Sequence, residues 1–279
     1  MLDISPKRQL LLLFSFYCFS NILGSLMGTT LLKFTSGQVS KLSLSSISIF
    51  SFFVPAFIAF KLFSKEKLIS YWGLDVSFSS RSFFITILIM ICCIIIMNWL
   101  AEVNKWIPLF NWMKEDEIKA TSKLRQYLEM ANLRQLLLNL LIFSFVASFC
   151  EEVFFRGTMQ PMWYKLCSKA WIGIFITAFI FSFLHFQFLG FLPRLLAGIV
   201  FGGIYYYTGS LWLSVISHIL YNGSIVVLNY ISQHNQVNIT SFGNLLLSPF
   251  LIISAALMMS ILFYQLQRDT FRKRNSNGD

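Results

Sequence analysis

Apolar residues run almost unbroken through eight stretches of this chain, at 9–32, 44–63, 82–101, 135–160, 170–188, 191–208, 210–231 and 245–266, with most polar residues between them. About 20 apolar residues carry a helix across a bilayer core of about 30 Å. Each stretch therefore predicts a transmembrane helix. The run over 10–32 outlasts the apolar segment of about 7–15 residues in a cleavable signal, so it is expected to be the first span, with no signal peptide before it. The junctions at 190–192 and at Thr208-Gly209-Ser210 leave room only for antiparallel neighbours. The expected fold is all-α: a polytopic membrane bundle of eight transmembrane helices.

Composition agrees. The 279 residues are 56% hydrophobic and 12% charged, against about 25% charged in a soluble domain, and the mean hydropathy is +0.68. The net charge of +10 sits at helix ends and in the tail, where Lys and Arg set topology and meet anionic headgroups. That distribution argues against nucleic acid and for membrane lipids as partners. Counting Lys and Arg by loop places both termini in the cytoplasm, with Lys33, Lys41 and the 101–134 segment opposite. The 101–134 segment, with Leu124, Tyr127 and Leu128 at helical spacing, reads equally as a surface helix or a solvated linker. Cys18, Cys92, Cys93, Cys150 and Cys167 form no zinc spacing and read as small hydrophobes.

Against this background the ionisable residues inside spans stand out, because each costs roughly 2.5–3.5 kcal/mol at the bilayer centre. The only two carboxylates within spans and two of the three histidines fall in three patterns: Glu151-Glu152-Val153-Phe154-Phe155-Arg156, Phe181 to His185, and His218 to Asn222. Positions four apart share a helix face. Arg156 is therefore expected to neutralise Glu152, leaving Glu151 free to act as a general base. Gln135 to Glu151 supplies about 24 Å of rise, and a helix ending near Pro161 leaves the pair about 15 Å from that end. His218 and Asn222, with Ser217 and Tyr221 beside them, offer donors where negative charge develops on a carbonyl oxygen. Each pattern also has a plain structural reading: carboxylates at headgroup level, a core histidine, an interhelical hydrogen bond. Gly198 and Gly202 form a GxxxG that marks close helix packing. Arg194 either snorkels to the interface or faces a cavity, and His234 is expected in a solvated loop at 232–238. The chain has no HExxH, no GxSxG and no aspartate in a span, which disfavours zincin-like, rhomboid-like and presenilin-like chemistry.

The three motifs in this order resemble the CPBP family of intramembrane proteases (CAAX protease and bacteriocin-processing, or Abi, proteins), whose signature is EExxxR, FxxxH and HxxxN or HxxxD. The similarity covers roughly 133–230. Similarity to the Ras-converting CAAX prenyl protease implies an intramembrane endopeptidase acting on a peptide or a prenylated, lipid-modified peptide. It implies Glu151, Glu152, Arg156, His185, His218 and Asn222 as site residues, with Glu151 and His185 activating a water and His218 and Asn222 stabilising the oxyanion. The family's metalloprotease label would make Glu151, His185 and His218 candidate zinc ligands. No cofactor is the favoured expectation, because an oxyanion role accounts for Asn222. On this reading 1–134 is a three-span region with an amphipathic linker, 135–231 the catalytic core, and 232–279 the last span with a basic tail. Two other readings stay open: a non-catalytic adaptor or immunity protein that retains the site for folding, and a proton-coupled transporter, which should show paired repeats that are not found.

Overall fold

The computed structural model describes residues 4–34, 46–235, 243 and 246–277. The described residues contain ten helices and no strand. They are α1 (Pro6–Phe34), α2 (Ser46–Phe63), the short α3 (Leu68–Tyr71), α4 (Ser80–Asn104), α5 (Asn111–Tyr127), α6 (Leu133–Cys167), α7 (Ala170–Phe183), α8 (Phe191–Thr208), α9 (Leu211–Asn235) and α10 (Pro249–Asn277). The all-α polytopic fold expected from hydropathy is what forms. Seven of the helices are long and apolar enough to cross a bilayer. The expected eighth, 170–188, is cut to the 14 residues of α7. Its ending has a local cause: the His185 ring bonds the Phe181 carbonyl at 2.7 Å, occupying the acceptor that the next helical N–H would use. Phe186 then takes a left-handed φ of 51°.

A second difference concerns α6, which does not stop near Pro161. It runs through to Cys167 and is closed by Ser168 at φ 55°, whose N–H reaches Tyr164 O at 3.0 Å. Proline inside an α-helix collides with the carbonyl four residues back. Here the turn before it is widened into a π-helix over Val153–Met159, and Thr158 Oγ1 bonds the Val153 carbonyl five residues back at 2.9 Å. The 35 residues of α6 span about 52 Å. Glu151 stands near the middle, about 24 Å from the Cys167 end instead of about 15 Å.

Helix α6 is the axis of the molecule. On one side Val153, Phe154, Phe155, Met159 and Met162 join α1, α2 and the buried Trp72 in one apolar core. A second core joins α4, α8 and α10. Residues facing outward are apolar as well, Phe250, Leu257 and Ile261 among them, while Glu152 and Arg156 are fully buried. This inverted distribution is that of a bundle whose solvent is lipid. The 101–134 segment resolves in favour of a helix, α5. It leaves Trp106, Phe110, Trp112 and Ile118 exposed beside Lys114 and Glu115, as at a membrane surface. Trp112 packs edge-on against Phe188 at 5.4 Å.

At the other end of the core motifs, His234 lies on α9 and not in a loop, with Nδ1 on the Tyr230 carbonyl at 2.9 Å. Ser232, Gln233 and Asn235 are helical with it, whereas 236–238 of the expected loop, Lys41, and the side chains of Lys33, Arg272, Lys273 and Arg274 lie outside the described residues.

The GxxxG on α8 brings that helix against α6 and α7 so closely that its backbone becomes a hydrogen-bond acceptor for side chains. Gly198 O accepts from Arg156 Nη2 at 3.0 Å, and Gly202 O from Gln160 Nε2 at 3.1 Å. A Cβ at 198 would stand 2.8 Å from Ala178 Cβ and 3.0 Å from its Cα. Gly198→Ala should therefore cost about 1–3 kcal/mol and lower the thermal midpoint in detergent. Gly203→Ala, whose Cβ would meet only ring atoms at 3.1 Å or more, should cost less. Equal midpoints for Gly198→Ala and the parent protein would contradict this packing.

Candidate active site

Glu152, Arg156 and His218 form one buried cluster. Glu152 Oε1 accepts from Arg156 Nη1 at 2.8 Å and from His218 Nδ1 at 2.8 Å, and Oε2 accepts from Ser214 Oγ at 2.6 Å. The pairing expected from four-residue spacing thus forms, although the backbone between the two residues is π-helical. Arg156 also lies over the rings of Phe181 and Phe201, at 4.8 and 5.3 Å. Cation–π contacts and backbone acceptors replace water around this guanidinium. Ser214 was not singled out from the sequence, yet it stands four residues before His218 and so on the same face. The cluster takes up all of the Glu152 carboxylate.

Glu151 has a different environment. Its Oε2 is buried and has no hydrogen-bond partner. Two imidazole nitrogens face that oxygen, His185 Nε2 at 4.0 Å and His218 Nε2 at 3.8 Å. Each ring's other nitrogen is committed, His185 to the Phe181 carbonyl and His218 to Glu152. Carbonyl and carboxylate oxygens only accept, so both Nδ1 atoms carry hydrogen and a neutral ring turns its Nε2 lone pair toward Glu151. Gaps of this size are those bridged by one water. A water brings two hydrogens to three acceptors, so a fully satisfied site carries one further proton.

These groups open on a cavity of about 340 Å³ also lined by Phe181, Gln187, Arg194, Tyr221 and Asn222. The His185 side chain is 29% exposed and that of His218 only 2%, so His185 stands at the mouth and His218 at the floor. Asn222 lines the cavity, but its Nδ2 is directed at Phe143 O and Ser148 Oγ, both at 3.2 Å. All six residues picked from the three motifs lie in or directly behind one cavity, and Arg194, left open by the sequence, joins them. Nothing in the motif spacing pointed to Gln187 or Ser148.

The donor types suit zinc, since two Nε2 lone pairs and a carboxylate oxygen converge and both Nδ1–H groups are anchored, as second-shell contacts do for metal-bound imidazoles. The spacing is wider than the edge of about 3.3 Å in a tetrahedron with bonds of about 2.0 Å. Among the described residues no three such side chains stand at metal-holding distances. Two carboxylates and two guanidinium groups already balance in charge around the cavity when both imidazoles are neutral.

The two glutamates should separate in a stability measurement. Arg156→Ala removes the cation of a buried pair and should cost about 3–5 kcal/mol, seen as a lower unfolding midpoint in detergent. Glu151→Gln removes a carboxylate with no partner and should leave the midpoint unchanged or raise it. A similar drop in both variants would overturn this division of roles.

Residues 133–224 match the family model described as Rce1-like, type II CAAX prenyl endopeptidase. No curated protein and no solved structure matches the chain. This segment, which holds all three motifs, is thus similar to the Rce1-like family.

Proposed function

We propose that the protein is an intramembrane endopeptidase that hydrolyses a peptide bond in a membrane-associated peptide, with a prenylated C-terminal segment as its substrate class. The observation that carries this reading is the unpartnered Glu151 Oε2 facing the Nε2 atoms of His185 and His218 at 4.0 and 3.8 Å. The match to CAAX prenyl endopeptidases over the same residues supports it.

In the proposed reaction Glu151, oriented with His185, takes a proton from the bridging water as its oxygen attacks the scissile carbonyl. Negative charge then grows on the carbonyl oxygen. His218 answers it by carrying the site's additional proton on Nε2, and Glu152 at Nδ1 favours that imidazolium, as a carboxylate does for the histidine of a catalytic triad. Asn222 supplies a second donor when the oxyanion, a stronger acceptor than a neutral carbonyl, draws Nδ2 from Phe143 O. Collapse of the tetrahedral intermediate breaks the C–N bond, and the proton held by Glu151 passes to the leaving amine. Were zinc resident, Glu151, His185 and His218 would hold it, and it would supply a bound water of lowered pKa.

A fluorogenic peptide ending in a prenylated cysteine and three further residues, offered to purified protein in nanodiscs, tests the assignment. Glu151→Gln and His185→Ala should each lose about 10²–10⁴-fold in turnover, and Asn222→Ala about 10²–10³-fold. Retention of full activity by Glu151→Gln would sink the assigned chemistry, and absence of cleavage by the parent protein would leave the adaptor reading. Zinc at one equivalent, removed by a chelator together with activity, would replace the metal-free chemistry.

A further inference from the structure

Arg194 is a cation in the cavity with no described carboxylate in direct contact, although Glu151 lines the same space. It lies in the first turn of α8 and lines the same space as Glu151 and His185. A single neutral residue holds it: Nη1 donates to Gln187 Oε1 at 3.1 Å and Nη2 to the Gln187 carbonyl. Its Nε is buried and has no partner, and among the described residues no carboxylate stands within ion-pair distance of it. Arg156, nearby in the wall, has Glu152. Arginine is seldom taken out of water unpaired. The first turn of a helix, moreover, is where the helix dipole favours anions and opposes cations. Two independent electrostatic costs are thus concentrated at one residue, and both are relieved by the same thing, a bound anion.

The shape of the site narrows the anion. Gln187 fixes the guanidinium plane without neutralising it, leaving N–H donors unspent, and a planar fork matches a carboxylate. Leu124, Leu128, Phe181 and Val226 line the cavity around it, so the carboxylate is carried by an apolar group. An apolar peptide end supplies this, and one single charge meets one single charge.

We infer that Arg194 is the specificity-determining residue that receives the substrate's C-terminal α-carboxylate, with Gln187 as its positioning residue, so that a bond near the peptide's end is the one brought to Glu151. This rests on the endopeptidase reading for its setting, but its test does not need turnover. Glu151→Gln protein in nanodiscs is titrated with a fluorescent peptide ending in a prenylated cysteine and three apolar residues, made as the free acid and as the C-terminal amide. The amide should bind at least about tenfold more weakly. Adding Arg194→Gln should bring the acid-to-amide ratio close to one, while Arg194→Lys, a point charge without the fork, should keep part of it. Each ratio is taken within one preparation, so a partly folded variant does not mimic the loss.

Equal binding of acid and amide to the Arg194 protein would overturn the inference. So would an amide peptide with glutamate at its last position binding as well as the acid, because the recognised carboxylate would then be a side chain. On the active protein the same preference should appear in KM more than in kcat. Loss of turnover without any acid preference would leave the endopeptidase reading standing and this one refuted.

Discussion

Glu152 and Arg156 are an ion pair sealed away from water, and the arrangement of the core follows from keeping both charges satisfied. Desolvating two such groups costs several kcal/mol each, and attraction alone repays it only when the remaining donors and acceptors are also used. The chain meets that demand from four helices. Helix α6 carries the pair, α8 gives the Gly198 carbonyl, α9 gives His218 and Ser214, and α7 with α8 gives the rings of Phe181 and Phe201. Each contribution fixes a distance between helices to within a hydrogen bond. The cavity's geometry is thereby set by residues behind it.

Division of labour between adjacent carboxylates follows from the same constraint. Neighbouring positions on a helix diverge by about 100°, so one glutamate can be buried in a polar cluster while the next faces the cavity. Glu152 is fully engaged in structure, while Glu151 Oε2 is left without a hydrogen-bond partner, as the proposed chemistry requires. His218 belongs to both, with one nitrogen on each glutamate's side. A histidine bridging a paired carboxylate and an unpaired one holds its tautomer without an extra residue, which helps explain how so few polar groups suffice in a bundle this apolar.

Much of this was legible in the residues. Hydropathy marked the spans, and four-residue spacing identified Glu152 as paired and Glu151 as unpaired, because both signals come from local periodicity. What was not legible came from contacts distant in sequence or from departures from a regular helix. The continuation of α6 past Pro161 depended on a π-helical turn that proline rules do not anticipate. The early end of α7 depended on a ring competing for a backbone carbonyl. Ser148, Gln187 and the burial of Trp72 against Gly157 arise only when helices meet. Arg194 was ambiguous because length and composition do not say which way a side chain turns at a helix start.

The unusual length of α6 has a mechanical consequence. A rod of about 52 Å in a hydrocarbon slab of about 30 Å must lean or push its tips into the headgroups, and membranes of different thickness demand different angles. Rotation about the centre displaces the extremities most and the centre hardly at all. With Glu151 close to that pivot, the depth of its carboxylate stays nearly constant while the bilayer around it thins or thickens.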